Sequence, residues 1–219
     1  MMATTPPNAA RILYGAGSMR TLRVHWALAE LGLAYTTRPI RSRSGETETL
    51  AYRRLNPRGK IPILCDGDLT ISESPAIVTY LGERYATDAS PLVPKGLEAR
   101  TRYNEWLSFI TMELDATSLY VLRRHEGLPE IYGEAPTATK VARDYFLRQI
   151  NAAAEDLSDH RRHLVAEAFT GVDIIMTTCL LWADSLDLPL PGVFQAYLET
   201  HTARPAFQIA RTANTPPEP

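Results

Sequence analysis

The texture of the chain changes once, at "DASPLVPKG" (Asp88 to Gly96), and that break limits what the sequence can fold into. Before it, short apolar and β-branched runs alternate with turn signals and stretches of helical spacing. After it, apolar residues recur at three and four positions almost without interruption, the spacing of amphipathic helices. Prolines and a glycine within this stretch mark a linker rather than an element. The expectation is an α/β domain over residues 11–87 followed by an all-helical domain over residues 97–212. At 219 residues the chain is long enough for each to bury its own core.

The first part reads β-α-β-α-β-β-α. "RILY" (Arg11 to Tyr14) is a strand and "GAGS" a turn. From Met19 to Leu31 the spacing is helical, with Leu22, Trp26 and Ala29 on one face and Gly32 as the stop. "AYTTRPI" is extended, and a polar segment leads to a short helix that ends by Asn56-Pro57. "IPILCD" and "LTISE" are strands joined at Asp66-Gly67-Asp68, a hairpin signal. Ser74 then reads as the cap of a helix from Ala76 to Tyr85, with Pro75 at its first position.

In the second part, Trp106, Phe109, Ile110 and Glu113 keep helical spacing within a long segment from about Leu97 to His125. Another helix spans about Thr137 to Asp159. "TGVD" sets Thr170 and Asp173 in a capping box ahead of "IIMTTCLLWA", which is apolar nearly all round and so belongs at the centre of the helical domain. Short helices follow near Val193 to His201 and Pro205 to Thr212. "NTPPEP" and residues 1–10 read as frayed tails, the latter without a signal-peptide layout.

Composition narrows the classes. Hydrophobic residues at 45% and charged ones at 22% describe a soluble globular protein. No apolar run approaches the roughly 18 residues that span a membrane. Twenty-three Lys+Arg against 25 Asp+Glu argue against nucleic acid as a partner. Cys65 and Cys179 match no metal or redox spacing and read as buried thiols of a reducing cytoplasm. The five histidines, at 25, 125, 160, 163 and 201, show no metal-binding pairing, so no metal is expected.

One local feature raises a question. Pro62 interrupts "KIPIL" where a strand would want an amide donor. A few residues on, Glu73-Ser74-Pro75 opens a helix, whose first turn has spare donors. The pairing is either ordinary structural punctuation or a site for something peptide-like.

"SMRTLRVHWALAELGLAY" (Ser18 to Tyr35), "NPRGKIPIL", "ISESPAIVTYLGERY" and the "TGVD" cap, in this order and at these spacings, resemble the soluble glutathione S-transferase family, as a serine-type, bacterial-like member. The resemblance covers almost the whole chain. It implies a thioredoxin-like domain followed by the all-helical one, glutathione as co-substrate, and a symmetric homodimer. It also implies that Pro62 is cis, so that the Ile61 backbone pairs with glutathione as with a short strand. Glu73 and Ser74 would meet the γ-glutamyl group and Lys60 the glycyl carboxylate, with Arg54, Arg58, Arg41 and Arg43 as rivals. Ser18, read from sequence as a helix cap, would hold the thiolate, with Tyr14 and Thr21 as alternatives. The second substrate would lie between the "GAGSM" loop and the long helix, against Met19, Trp106, Phe109, Ile110 and Glu113. The activity implied is attack of the sulfur on an electrophilic, hydrophobic compound. The alternatives are a glutathione-dependent lyase, isomerase or dehalogenase, or a non-catalytic binding protein on the same fold.

Overall fold

The computed structural model describes residues 11–159, 161–165 and 167–216, so the tail expected over residues 1–10, and His160, lie outside the described residues. The chain divides into two compact units. One runs to Leu92 and takes back the residues from Arg204 onward; the other is Val93–Ala203.

The first unit is built on a four-stranded sheet, ordered β2-β1-β3-β4, among the described residues. β1 (Arg11–Tyr14) pairs parallel with β2 (Thr36–Arg38), Ile12 facing Thr36, across the crossover helix α1 (Met19–Glu30). A 3-10 turn at Glu46–Glu48 and α2 (Leu50–Leu55) lead to β3 (Ile63–Asp66), antiparallel to β1 with Leu13 opposite Leu64. β3 turns back into β4 (Leu69–Ser72) at Gly67-Asp68, where Gly67 has φ +61°, the sign that the first position of a tight hairpin turn of this length accepts most readily from glycine. α3 (Ser74–Tyr85) follows. Leu13, Leu64, Trp26, Leu28, Ile77 and Leu81 are fully shielded from water, each such side chain contributing about 1.5–3 kcal/mol of burial. This is the thioredoxin-like arrangement expected from the sequence.

In the second unit α4 (Leu97–Phe109) runs into a π-helical stretch, Ile110–Leu119, and then α5 (Tyr120–His125). α6 (Pro129–Tyr132), α7 (Pro136–Glu155), α8 (Gly171–Asp184) and α9 (Gly192–Thr202) complete it. α8 is buried along nearly its whole length, as its apolar circumference requires. Asp173 anchors its start. The buried carboxylate accepts from Thr170 N (2.7 Å), Thr170 Oγ1 (2.9 Å), Leu164 N (2.9 Å) and the Tyr197 hydroxyl (2.6 Å). Burial, with the Asp173 charge beside it, holds the Tyr197 phenol well above its usual range, so it remains a donor.

Two expectations change here. His163 and His201 are paired after all, their rings 5.3 Å apart, and each has a ligand-capable atom within 4.8 Å of Asp173. Sequence distance hid the pairing. The carboxylate already takes four donors and His201 Nε2 lies 3.0 Å from the Arg162 carbonyl, so the grouping is built as a hydrogen-bonded node. The helical domain also ends earlier than residue 212. α10 (Pro205–Ala213) belongs to the first unit, where Phe207 packs edge-on against Trp26 at 4.9 Å. Arg204 clamps the Glu30 carboxylate with two bonds of 2.7 and 2.8 Å, and Trp26 Nε1 donates to the same group. An apolar α1 face and an acid at its end needed a cover that the linear pattern did not show. Asn214, expected in a frayed tail, is hydrogen-bonded to the first unit as well.

Replacing Asp173 by Ala strands four buried donors. The expected cost is more than about 3 kcal/mol of stability, measured as a lowered urea midpoint.

Candidate functional site

The loop between β1 and α1 is tied to the end of β2 by Gly15 N to Arg38 O (2.8 Å) and Ala16 N to Ile40 O (3.0 Å). Gly15 has φ +123°, and a Cβ there would lie 2.8 Å from Thr21 Cγ2 and 2.9 Å from Ile61 Cβ, so only glycine fits. Ser18 caps α1: its Oγ accepts from Thr21 N at 3.1 Å, and Thr21 Oγ1 accepts in return from Ser18 N at 3.0 Å. The half-buried Ser18 hydroxyl stands at the positive end of α1, where a negative charge is favoured. Thr21 is a different matter. It is fully buried, and its hydroxyl lies 2.8 Å from Ser18 O and 2.6 Å from Asn214 Oδ1. Thr21 therefore cannot serve as the alternative thiolate donor. Tyr14, the other alternative, is half-buried at the end of β1, edge-on to Tyr52 at 6.3 Å.

Beneath this loop lies a histidine with a structural place in the fold. His25 is completely buried, with Nε2 3.3 Å from Gly15 O and Nδ1 2.7 Å from Tyr35 Oη. A carbonyl only accepts, so Nε2 carries the proton and Nδ1 accepts from the phenol. Burial lowers the imidazole to about 4, against a smaller upward pull from the Gly15 carbonyl, and burial raises the Tyr35 phenol to about 12.

On the far side of Gly15, the Ile61–Pro62 peptide is cis. The Lys60 carbonyl accepts from Tyr52 Oη (2.7 Å) and Asn56 Nδ2 (2.8 Å), which fixes the plane leading into Ile61. β3 starts only at Ile63, and among the described residues the Ile61 amide and carbonyl make no hydrogen bond. A strand edge is thus left open. Lys60 is exposed beside it. Of its rivals, Arg58 donates to Ser72 Oγ at 3.1 Å, and no geometry ranks the remaining arginines above Lys60.

Glu73 connects β4 to α3 with φ +70° and ψ +111°, a region that costs a residue with a side chain about 1–3 kcal/mol and persists where the surroundings impose it. The cap assigned to Ser74 is not made. The helix starts one residue earlier than its sequence suggests, with Glu73 at the cap position, Ser74 in the first turn, and no side-chain oxygen bonded to the opening amides. The first intrahelical bond is Ile77 N to Glu73 O, so the amides of Ser74 and Ala76 are left for another acceptor. Ser74 is buried, and its Oγ lies 3.5 Å from a guanidinium nitrogen of Arg23, itself 1% exposed. Arg23 was missed. The available signal was a cation flanked by Leu22 and Val24 in the middle of α1.

In the helical unit, Trp106 and Phe109 contact each other edge-on at 5.7 Å and line a groove of about 1230 Å³ with Arg102, Ala153, Asp156 and Leu164. Ile110 is fully buried and takes no part, because it faces the core where the π-helical stretch begins. Glu113 accepts a hydrogen bond from Tyr145. Met19, in the first unit, is half-buried in the first turn of α1.

The family described as glutathione S-transferase, N-terminal domain, matches residues 9–83. Glutathione S-transferase Z1 of Arabidopsis thaliana is 36% identical over 188 residues, 85% of this chain and 74% of that protein. Glutathione S-transferase F9 of the same plant is 35% identical over 95 residues, 43% of this chain; the match spans 44% of that relative, less than half its length. Among solved structures, the theta class glutathione S-transferase of Xanthomonas axonopodis pv. citri with glutathione bound superposes with a TM-score of 0.77 at 26% identity, over 95% of this chain and all of that one. The chain belongs to the glutathione S-transferase family.

His25 makes stability depend on pH. Its folded-state pKa of about 4 lies below the ordinary 6.5, so the unfolded chain binds the extra proton first. Stability is intact above pH 6.5 and falls as pH drops toward 4. Between pH 7 and pH 5 the loss is about 2 kcal/mol. Urea titrations of the parent and a His25→Asn variant at both pH values test this, with the variant expected to show the smaller difference.

Proposed function

We propose that the protein is a serine-type, bacterial-like glutathione S-transferase in which glutathione lies along the first unit, residues 11–87 completed by α10. The observation that carries this reading is the open backbone edge of Ile61 beside cis Pro62. An extended tripeptide can pair with such an edge through its cysteinyl N–H and C=O. The unoccupied amides at the start of α3 suit the γ-glutamyl carboxylate, which the helix dipole also favours. The exposed Glu73 suits the γ-glutamyl ammonium, and Lys60 the glycyl carboxylate. The sulfur then falls to Ser18, whose O–H donates to the thiolate while the α1 dipole stabilises its charge.

The chemistry needs little more. The thiol releases its proton to solvent and the sulfur lone pair attacks an electrophilic carbon. A carbon–sulfur bond forms as the leaving group departs with its electrons. Met19, Trp106, Phe109 and Glu113 are the residues proposed for the second substrate; Ile110 is excluded by its burial. We further propose a cytoplasmic, detoxifying role and a two-fold homodimer that uses α3 and α4, where Leu97 is 84% exposed. Among the described residues no helix is long and apolar enough to cross a membrane.

Ser18→Ala is expected to lower conjugation of an activated aryl halide by about ten- to a hundredfold near pH 6.5, with the glutathione KM nearly unchanged. The deficit should shrink at high pH, where the thiol ionises unaided. Equal rates at pH 6.5 would reduce Ser18 to a helix cap and shift the role to Tyr14 or the loop amides. Calorimetric titration with glutathione tests the site itself. Sedimentation at micromolar concentration should report twice the 24.4 kDa chain mass, and a monomer would overturn the dimer.

A further inference from the structure

We infer that Asn214, some two hundred residues away in sequence, is the positioning residue that fixes Ser18 for its thiolate. The inference rests on the glutathione reading above and extends it to a residue that does not touch glutathione's peptide.

The Gly17–Ser18 stretch is exposed at Gly17 and has little support from its own unit's sheet. Asn214 supplies that support from the other side. Its carbonyl accepts from Gly17 N at 2.8 Å, and its Nδ2 donates to Ser18 O at 3.2 Å. Its Oδ1 accepts from Thr21 Oγ1 at 2.6 Å and lies 3.2 Å from Gly17 N. Thr21 is the partner that both receives the Ser18 amide and donates its own to Ser18 Oγ. Asn214 therefore holds the backbone before Ser18, the carbonyl after it, and the residue that orients its hydroxyl. Pro216 closes the contact: a Cβ on Gly17 would lie 2.8 Å from its Cγ. A hydrogen bond to a thiolate is effective only where the donor is held to within about half an ångström, and here that restraint comes from beyond α10. Arg204, at the other end of α10, clamps Glu30 with two hydrogen bonds at the far end of α1 from Ser18.

The test is the ultraviolet thiolate absorbance of bound glutathione, titrated against pH, which needs no electrophile. In Asn214→Ala the bound thiol pKa should rise by about 0.5 to 1 unit, and conjugation at pH 6.5 should fall about three- to tenfold with the glutathione KM within about twofold. Arg204→Met should lower thermal stability and leave that pKa in place. In a Ser18→Ala background, Asn214→Ala should add no further shift. Should Asn214→Ala fail to fold, Asn214→Asp keeps Oδ1 as an acceptor for Thr21 and Gly17 but loses the Nδ2 donor to Ser18 O, and should still raise the pKa, with an unchanged pKa overturning the positioning role. An unchanged pKa in the folded variant, or an equal rise in Arg204→Met, would overturn the positioning role. Absence of glutathione binding to the parent protein would overturn the proposed function, and this inference with it.

Discussion

The first unit is organised around a position with no side chain. At Gly15 the end of β1, the first turn of α1 and the loop bearing cis Pro62 converge so closely that even a methyl group would overlap Thr21 and Ile61. Cores tolerate little added volume, and here the adjoining atoms belong to two separate segments, α1 at Thr21 and the proline loop at Ile61. That one approach brings the Ser18 loop beside the Ile61 edge. The separation between the Ser18 hydroxyl and the Ile61 backbone is thus set by packing rather than by any bond between them. His25 underpins the same point from inside, through the Gly15 carbonyl.

Around this point the chain departs from local structural rules in ways that share a direction. Ile61 leaves its backbone unpaired at the start of a strand. Glu73 occupies a conformation unfavourable for any residue with a Cβ, and α3 begins without a side-chain cap. Each costs stability if nothing binds, and each leaves a polar group directed outward. Natural sequences break such rules mainly where a ligand completes the bonding, so these departures mark the site better than any residue type does. By contrast, the Asp173 carboxylate at the start of α8 takes all four of its donors from within the fold, and that anchor has the character of structure.

Much of this was legible beforehand, for identifiable reasons. The order of elements in the first unit, the Gly67 hairpin and the Thr170–Asp173 box rest on local turn and cap chemistry, which spans few residues. The cis Pro62 loop was legible through family resemblance, and the ligand role proposed for Glu73 and Ser74 rests on the same resemblance. What stayed hidden depends on long-range placement. Thr21 looked like a spare hydroxyl because Asn214 could not be seen beside it. Ile110 was read on a 3.6-residue spacing, but the π-helical stretch widens the turn and alters which side chains share a face. His163, in the loop before α8, meets His201 of α9 only once that loop and α9 come together. Arg23 and His25 lay in plain sight on α1, and their burial was lost in a pattern judged by its apolar residues alone.

The return of α10 to the first unit bears on the order in which the molecule can be made. Domains synthesised early usually fold as soon as they leave the ribosome. Here the thioredoxin-like unit emerges first, yet Trp26 lacks its Phe207 neighbour and Glu30 its Arg204 clamp until more than a hundred residues of helix have been translated. During that interval α1 presents an aromatic face and a buried-to-be acid to the cell. The sequence that comes out first is therefore among the last to be finished, and the nascent chain spends the translation of its whole helical half with its first unit only partly closed.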